Sequence, residues 1–88
     1  MLTKTKIEEK IERIKEILAN NYPKEDLSII DKAFEIASKA HEGQKRASGE
    51  PYITHPVEVA LTLAEMKMDP ETVAAGLLHD VLEDSGVS

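Results

Sequence analysis

Cysteine is absent from this 88-residue chain, so it carries no disulfide framework and no thiolate metal site, and any metal here takes histidine and carboxylate ligands. Tryptophan is absent too. Tyr22, Phe34 and Tyr52 are the only aromatic residues, so the core must be aliphatic. Basic residues are the minority, 11 against 17 acidic, and the formal charge is −6. That balance opposes binding along a phosphate backbone, and no stretch interleaves Lys or Arg with stacking aromatics, so nucleic acid is not expected as a partner. A long hydrophobic run is also missing: Met1 is followed by Leu2-Thr3-Lys4-Thr5-Lys6 and then a charged amphipathic stretch, with no signal peptide or membrane span. The expectation is a soluble cytoplasmic chain without membrane contact. Its length suits one small globular domain, or a piece of a larger one, and excludes two domains.

What is present is helical periodicity. Thr5 is followed three residues later by Glu8 in a capping-box pattern, and Ile7, Ile11, Ile14 and Leu18 recur at helical spacing. Asn20-Asn21-Tyr22-Pro23 ends that first helix, because Asn favours turns and the residue before proline is pushed out of the helical region. A second helix is predicted between about Asp26 and Glu42, with Ile30, Ala33, Phe34, Ala37, Ala40 and His41 on one face and Gly43 as its C-terminal cap. Its alanine-rich stripe lets a neighbour approach closely, so it is expected to lie centrally in the packing. An ordered loop follows, then a third helix from Pro56 to near Lys67 carrying Val57, Ala60, Leu61 and Ala64. Asp69-Pro70 is an N-cap with proline at the first helical position, and opens a fourth helix through Val73, Ala74, Leu77, Leu78 and Val81. No segment shows the period-two alternation of a strand. The fold class is all-α, with about four helices.

Helix four is apolar nearly all round between Val73 and Leu82, apart from His79 and Asp80, and such a helix expects cover on several sides. Three other helices supply little of it, and the chain stops just after its most chemically loaded segment. We therefore expect a domain incomplete at its C-terminus, with a homodimer through an exposed apolar helix four as one way of covering it.

His79-Asp80 sits inside that apolar run, where a charge needs a hydrogen bond, an ion pair or a metal. Glu83 lies one helical turn after His79, and Asp84 one turn after Asp80, so four polar groups form two adjacent rows. A buried structural His-Asp hydrogen bond, with Glu83 and Asp84 as solvated helix-end acids, explains the same pattern. His55, just before helix three, can point across to a neighbouring helix, and two histidines with one aspartate make a site for Mn, Fe, Ni or Zn. The alternative for His55 is a capping or loop-anchoring role. Lys45 and Arg46 are adjacent cations in the loop before His55 and suit a phosphate or a base plane; solvated surface charges are the plain alternative. His41, at the end of helix two, is read as a dipole partner or packing residue without catalytic role.

From Ala40 to Asp84 the chain carries His41-Glu42-Gly43-Gln44, Arg46, Ser48-Gly49-Glu50-Pro51-Tyr52-Ile53-Thr54-His55-Pro56 and Leu78-His79-Asp80-Val81-Leu82-Glu83-Asp84. In order and spacing this resembles the N-terminal half of the hydrolase domain of the RelA/SpoT homologues, an HD-superfamily fold. The resemblance implies that His55, His79 and Asp80 are three of four protein ligands of a manganese ion, and that Glu83 and Asp84 position and activate water. It places Arg46 against a guanine base, with Lys45 and Ser48 completing the substrate-binding loop. The implied substrate is the guanine nucleotide alarmone, guanosine tetra- or pentaphosphate, and the implied reaction is removal of its 3′-pyrophosphate. Ala47 departs from members with a basic residue after the loop arginine, and the family's fourth ligand and synthetase domain lie on later segments. Two other readings stand beside this one: a helical interaction module without catalysis, and an HD phosphohydrolase acting on another nucleotide.

Overall fold

The computed structural model describes the backbone of residues 6–84 and the side chains of residues 6–81. Four helices account for the regular structure: α1 (Lys6–Asn21), α2 (Ser28–Ala40), α3 (Thr54–Glu65) and α4 (Pro70–Asp84). Among the described residues there is no strand, only one isolated antiparallel bridge between Lys45 and Pro51. The all-α expectation holds.

On α1 the spaced aliphatics Ile11, Ile14 and Leu18 are buried, and Ile7 packs against the same cluster. The Thr5 cap lies outside the described residues. The second helix is shorter than expected at both ends. Asp26 stands before it and accepts a hydrogen bond from the Ser28 N–H at 2.9 Å, and that bond holds its carboxyl below the usual carboxylate value. At the other end Gly43 has φ 80, a left-handed conformation that costs glycine little, and the Gln44 N–H turns back onto the His41 carbonyl at 3.0 Å.

The third helix begins two residues before the expected Pro56. The Thr54 and His55 N–H groups bond to the carbonyls of Pro51 and Tyr52, so the first turn winds before the proline and takes His55 into the helix. Its far end closes as a Schellman turn, with Met68 N–H bonded to Leu63 O at 3.1 Å and Lys67 N–H to Ala64 O at 2.9 Å. Lys67 sits at φ 66, where a side chain is strained, and the Tyr22 hydroxyl donates to its carbonyl at 2.7 Å. Replacing Lys67 with glycine should relieve that strain and stabilise the fold by about 0.5–1 kcal/mol. Chemical denaturation checks this; an unchanged or lowered midpoint would contradict it.

Packing runs in the order α1, α3, α4, α2, each helix against the next. This corrects two expectations. The alanine-rich α2 is an outer element, joined to α1 at the surface by the Lys15 to Asp31 ion pair at 3.1 Å, and the inner pair is α3 and α4. The apolar face of the fourth helix is covered among the described residues: α2 and α3 pack on its two sides, burying Val73, Ala74, Leu77 and Val81. Gly76 permits that approach, since a Cβ there would lie 2.7 Å from Leu63 Cδ1. The exposed large hydrophobics among the described residues are Ile29 and Ile36 on α2 and Met66 and Met68 near the α3 to α4 turn, and none of them lies on α4. Asp69 and Pro70 start α4 as expected. The Thr72 hydroxyl donates to the Asp69 carboxylate and holds it below its usual value.

Candidate metal centre

The centre forms where the start of α3 faces the last turns of α4. His55 is supplied by the first turn of α3, and His79 with Asp80 by α4. One ligand atom from each of the three lies within 4.8 Å of the others. The His79 Nε2 to Asp80 Oδ1 distance is 3.1 Å, and His55 Nε2 to Asp80 Oδ2 is 3.8 Å. Both histidines are partly exposed, whereas the Asp80 residue is buried at 7%. The cluster is therefore open on the imidazole side and closed behind the carboxylate.

Backbone geometry decides the chemistry of His79. Its Nδ1 lies 2.7 Å from the Gly76 carbonyl oxygen, one turn earlier on the same helix. A carbonyl only accepts, so Nδ1 carries the hydrogen. The lone pair of a neutral imidazole is then on Nε2, which faces Asp80 Oδ1, itself an acceptor. Two acceptors at 3.1 Å repel unless a proton or a cation lies between them. A carbonyl-anchored imidazole is also the usual arrangement of a histidine ligand. The donor set of two imidazoles and one carboxylate fits a divalent transition metal.

Asp80 is supported from behind. The Tyr52 hydroxyl donates to its Oδ2 at 3.0 Å, and the Tyr52 ring packs against His41 with centroids 4.6 Å apart and the planes tilted by 40°. His41 is buried, with Nδ1 3.1 Å from the Gln44 amide oxygen. Neither Tyr52 nor His41 entered the set of site residues read from the sequence. The aromatic in a glycine- and proline-containing loop was the available signal, but a contact spanning 28 residues has no periodicity to announce it.

The loop cations take up another position. Lys45 is exposed and forms the bridge with Pro51, while the Arg46 N–H bonds to Glu50 O and the Gly49 N–H to Arg46 O, both at 2.8 Å. Gly49 has φ 91, which this tight turn requires. The Arg46 guanidinium lies 3.9 Å from Glu58 on α3, a carboxylate that also pairs with Lys10 at 3.2 Å. Ser48 is exposed at the turn. Among the described residues the ion pair of Arg46 is with Glu58, and no hydrogen bond or ion pair joins Lys45, Arg46 or Ser48 to the histidine and aspartate cluster. Glu83 and Asp84 continue α4 in the expected rows, one turn beyond His79 and Asp80, but their side chains lie outside the described residues.

No helix among the described residues is long and apolar enough to cross a membrane. Comparison with known proteins gives the relationship. The HD domain family pattern matches residues 33–88. The bifunctional (p)ppGpp synthase/hydrolase SpoT of Escherichia coli is 51% identical over 74 residues, 84% of this chain and 10% of that protein. The guanosine-3′,5′-bis(diphosphate) 3′-pyrophosphohydrolase of Shigella flexneri matches to the same extent, 51% over 74 residues, 84% of the chain and 10% of the relative. The bifunctional (p)ppGpp synthase/hydrolase RelA of Mycobacterium tuberculosis is 57% identical over 65 residues, 74% of the chain and 9% of the relative. The chain thus spans about a tenth of the length of these curated relatives. With the paired histidine and aspartate on α4, the histidine at the start of α3 and these matches, the chain belongs to the HD domain family, among its RelA/SpoT members.

Proposed function

We propose that residues 1–88 form the N-terminal portion of a metal-dependent phosphohydrolase domain that removes the 3′-pyrophosphate from guanosine tetra- or pentaphosphate, the activity named for its relatives. The observation that carries this reading is the convergence of one ligand atom each from His55, His79 and Asp80 within 4.8 Å of one another, drawn from two helices. His55, His79 and Asp80 hold the metal, assigned as manganese. When bound, the ion neutralises charge on the attacked phosphoryl group and lowers the pKa of a water. Glu83 and Asp84, one turn further along α4, orient that water and accept its proton. Arg46 and Lys45, with Ser48 in the same turn, receive the nucleotide; Arg46 exchanges its Glu58 partner for the guanine base or a phosphate. The relatives that are named as synthases as well as hydrolases make a bifunctional parent protein part of the proposal.

The test is manganese titration of the chain by calorimetry, in parallel with release of pyrophosphate from guanosine tetraphosphate. One site that is lost in His55→Ala is expected. Glu83→Gln should retain the metal while lowering pyrophosphate release by about 100-fold or more, the usual effect of losing a positioned base. Binding indifferent to His55, or equal hydrolysis of unrelated nucleotides, would overturn the assignment.

A further inference from the structure

Asp80 presents two oxygens to its surroundings, and they are not equivalent. Oδ1 faces His79 Nε2 at 3.1 Å, while Oδ2 accepts the Tyr52 hydroxyl at 3.0 Å. The carboxylate torsion is soft, so the helix alone does not fix the plane in which Oδ1 faces His79 and Oδ2 lies 3.8 Å from His55 Nε2. Tyr52 can fix that plane because it is itself held. Its N–H bonds to the Gln44 carbonyl at 2.9 Å, closing the loop that contains the Lys45 to Pro51 bridge, and its ring lies on the His41 ring. His41 is buried at 5% exposure at the end of α2, with Nδ1 on the Gln44 amide oxygen. The Gln44 carbonyl and side chain thus hold both members of the ring pair. The His41 Nε2 has no hydrogen-bond partner among the described residues, so that ring is retained there at the expense of an unsatisfied buried atom.

We infer that Tyr52 is a positioning residue for the metal centre: its hydroxyl occupies Asp80 Oδ2 and thereby aims Oδ1 at the metal position beside His79, with His41 bracing the ring. The inference rests on the metal reading proposed above. It assigns to the loop between α2 and α3 a part in metal affinity that is separate from holding nucleotide. Hydrogen-bond partners of metal ligands typically alter metal affinity by about 10–100-fold, and the same range applies here.

The experiment compares manganese affinity, by calorimetry, in the wild-type chain, in Tyr52→Phe and in Tyr22→Phe, with thermal unfolding of each metal-free protein. Tyr52→Phe keeps the ring that contacts His41 and removes only the hydroxyl. It should unfold near the wild-type temperature without metal yet bind manganese about 10–100-fold more weakly. Tyr22→Phe deletes the other tyrosine hydroxyl, the one bonded to Lys67 O, and should leave manganese affinity unchanged. If the wild type itself binds no manganese, the metal reading fails and this inference falls with it. If the wild type binds and Tyr52→Phe binds equally well, the inference alone is overturned. Loss of helicity in metal-free Tyr52→Phe would likewise overturn it, by placing the hydroxyl in the scaffold and not in ligand orientation.

Discussion

On the metal reading proposed above, His79→Ala should abolish manganese binding by this chain, lowering affinity by more than about 100-fold, beyond the range attached to partners that only orient a ligand. The expectation follows from the geometry of one imidazole. Gly76 O fixes the proton on Nδ1 and so leaves Nε2 as a lone pair toward the centre, 3.1 Å from Asp80 Oδ1. Alanine removes the nitrogen ligand and leaves His55 and Asp80, whose nearest atoms are 3.8 Å apart and belong to different helices. Two ligands on separate helices hold an ion far less firmly than three. Calorimetric titration decides it, and tight binding retained in the alanine variant would refute the ligand assignment. The variant should fold, because His79 is partly exposed and its hydrogen bond stays within one helix.

Leu77→Ala should have the largest effect on stability. Leu77 is fully buried, and it belongs to the cluster that joins Ile11, Ile14 and Leu18 of α1 with Val57 and Ala60 of α3 and Ile30 and Ala33 of α2. Truncating a buried leucine costs about 2–5 kcal/mol, from lost transfer energy and from the cavity left where neighbours cannot collapse. Small domains have little to spare, since net stabilities are about 5–15 kcal/mol even for larger ones. At roughly 4–8 °C per kcal/mol for a domain of this size, the unfolding midpoint should fall by roughly 10 °C or more. Thermal unfolding followed by circular dichroism gives the answer. A shift under a few degrees would mean that α4 is not packed between α2 and α3 as described. Metal affinity should fall as well, because His79 and Asp80 ride on the same helix.

Those two variants also separate what one-dimensional information carries from what it does not. The aliphatic spacing of α1, the Asp69-Pro70 start of α4 and the glycine at the end of α2 are local signals, set by helix period, by capping and by the left-handed backbone that glycine tolerates. The helix bounds that moved are those where hydrogen bonds outweighed a residue preference. Thr54 and His55 wind onto Pro51 and Tyr52 before Pro56, and a proline three residues into a helix loses nothing, since that N–H has no partner within the helix.

The site divides along the same line. That His79 and Asp80 are in contact was legible, because they are neighbours in an apolar stretch where lone charges are costly. That Glu83 and Asp84 follow in register was legible too, as a property of one helix. Burial of α4 was not, since apolar residues all round a helix do not say which neighbours cover it; the packing order α1, α3, α4, α2 answers that, and it also puts the alanine-rich α2 on the outside. Nor could spacing place Arg46 against Glu58.

By itself, then, the sequence determined an acidic, cysteine-free, all-helical chain with its metal-ligand types, and the resemblance that names its family. Only the tertiary structure decided that His55 reaches the α4 pair and that Tyr52 and His41 stand behind Asp80. The physical reason is range. Helix period and capping act over three or four residues, whereas the contact between Tyr52 and Asp80 spans 28 and exists only once α3 and α4 have packed.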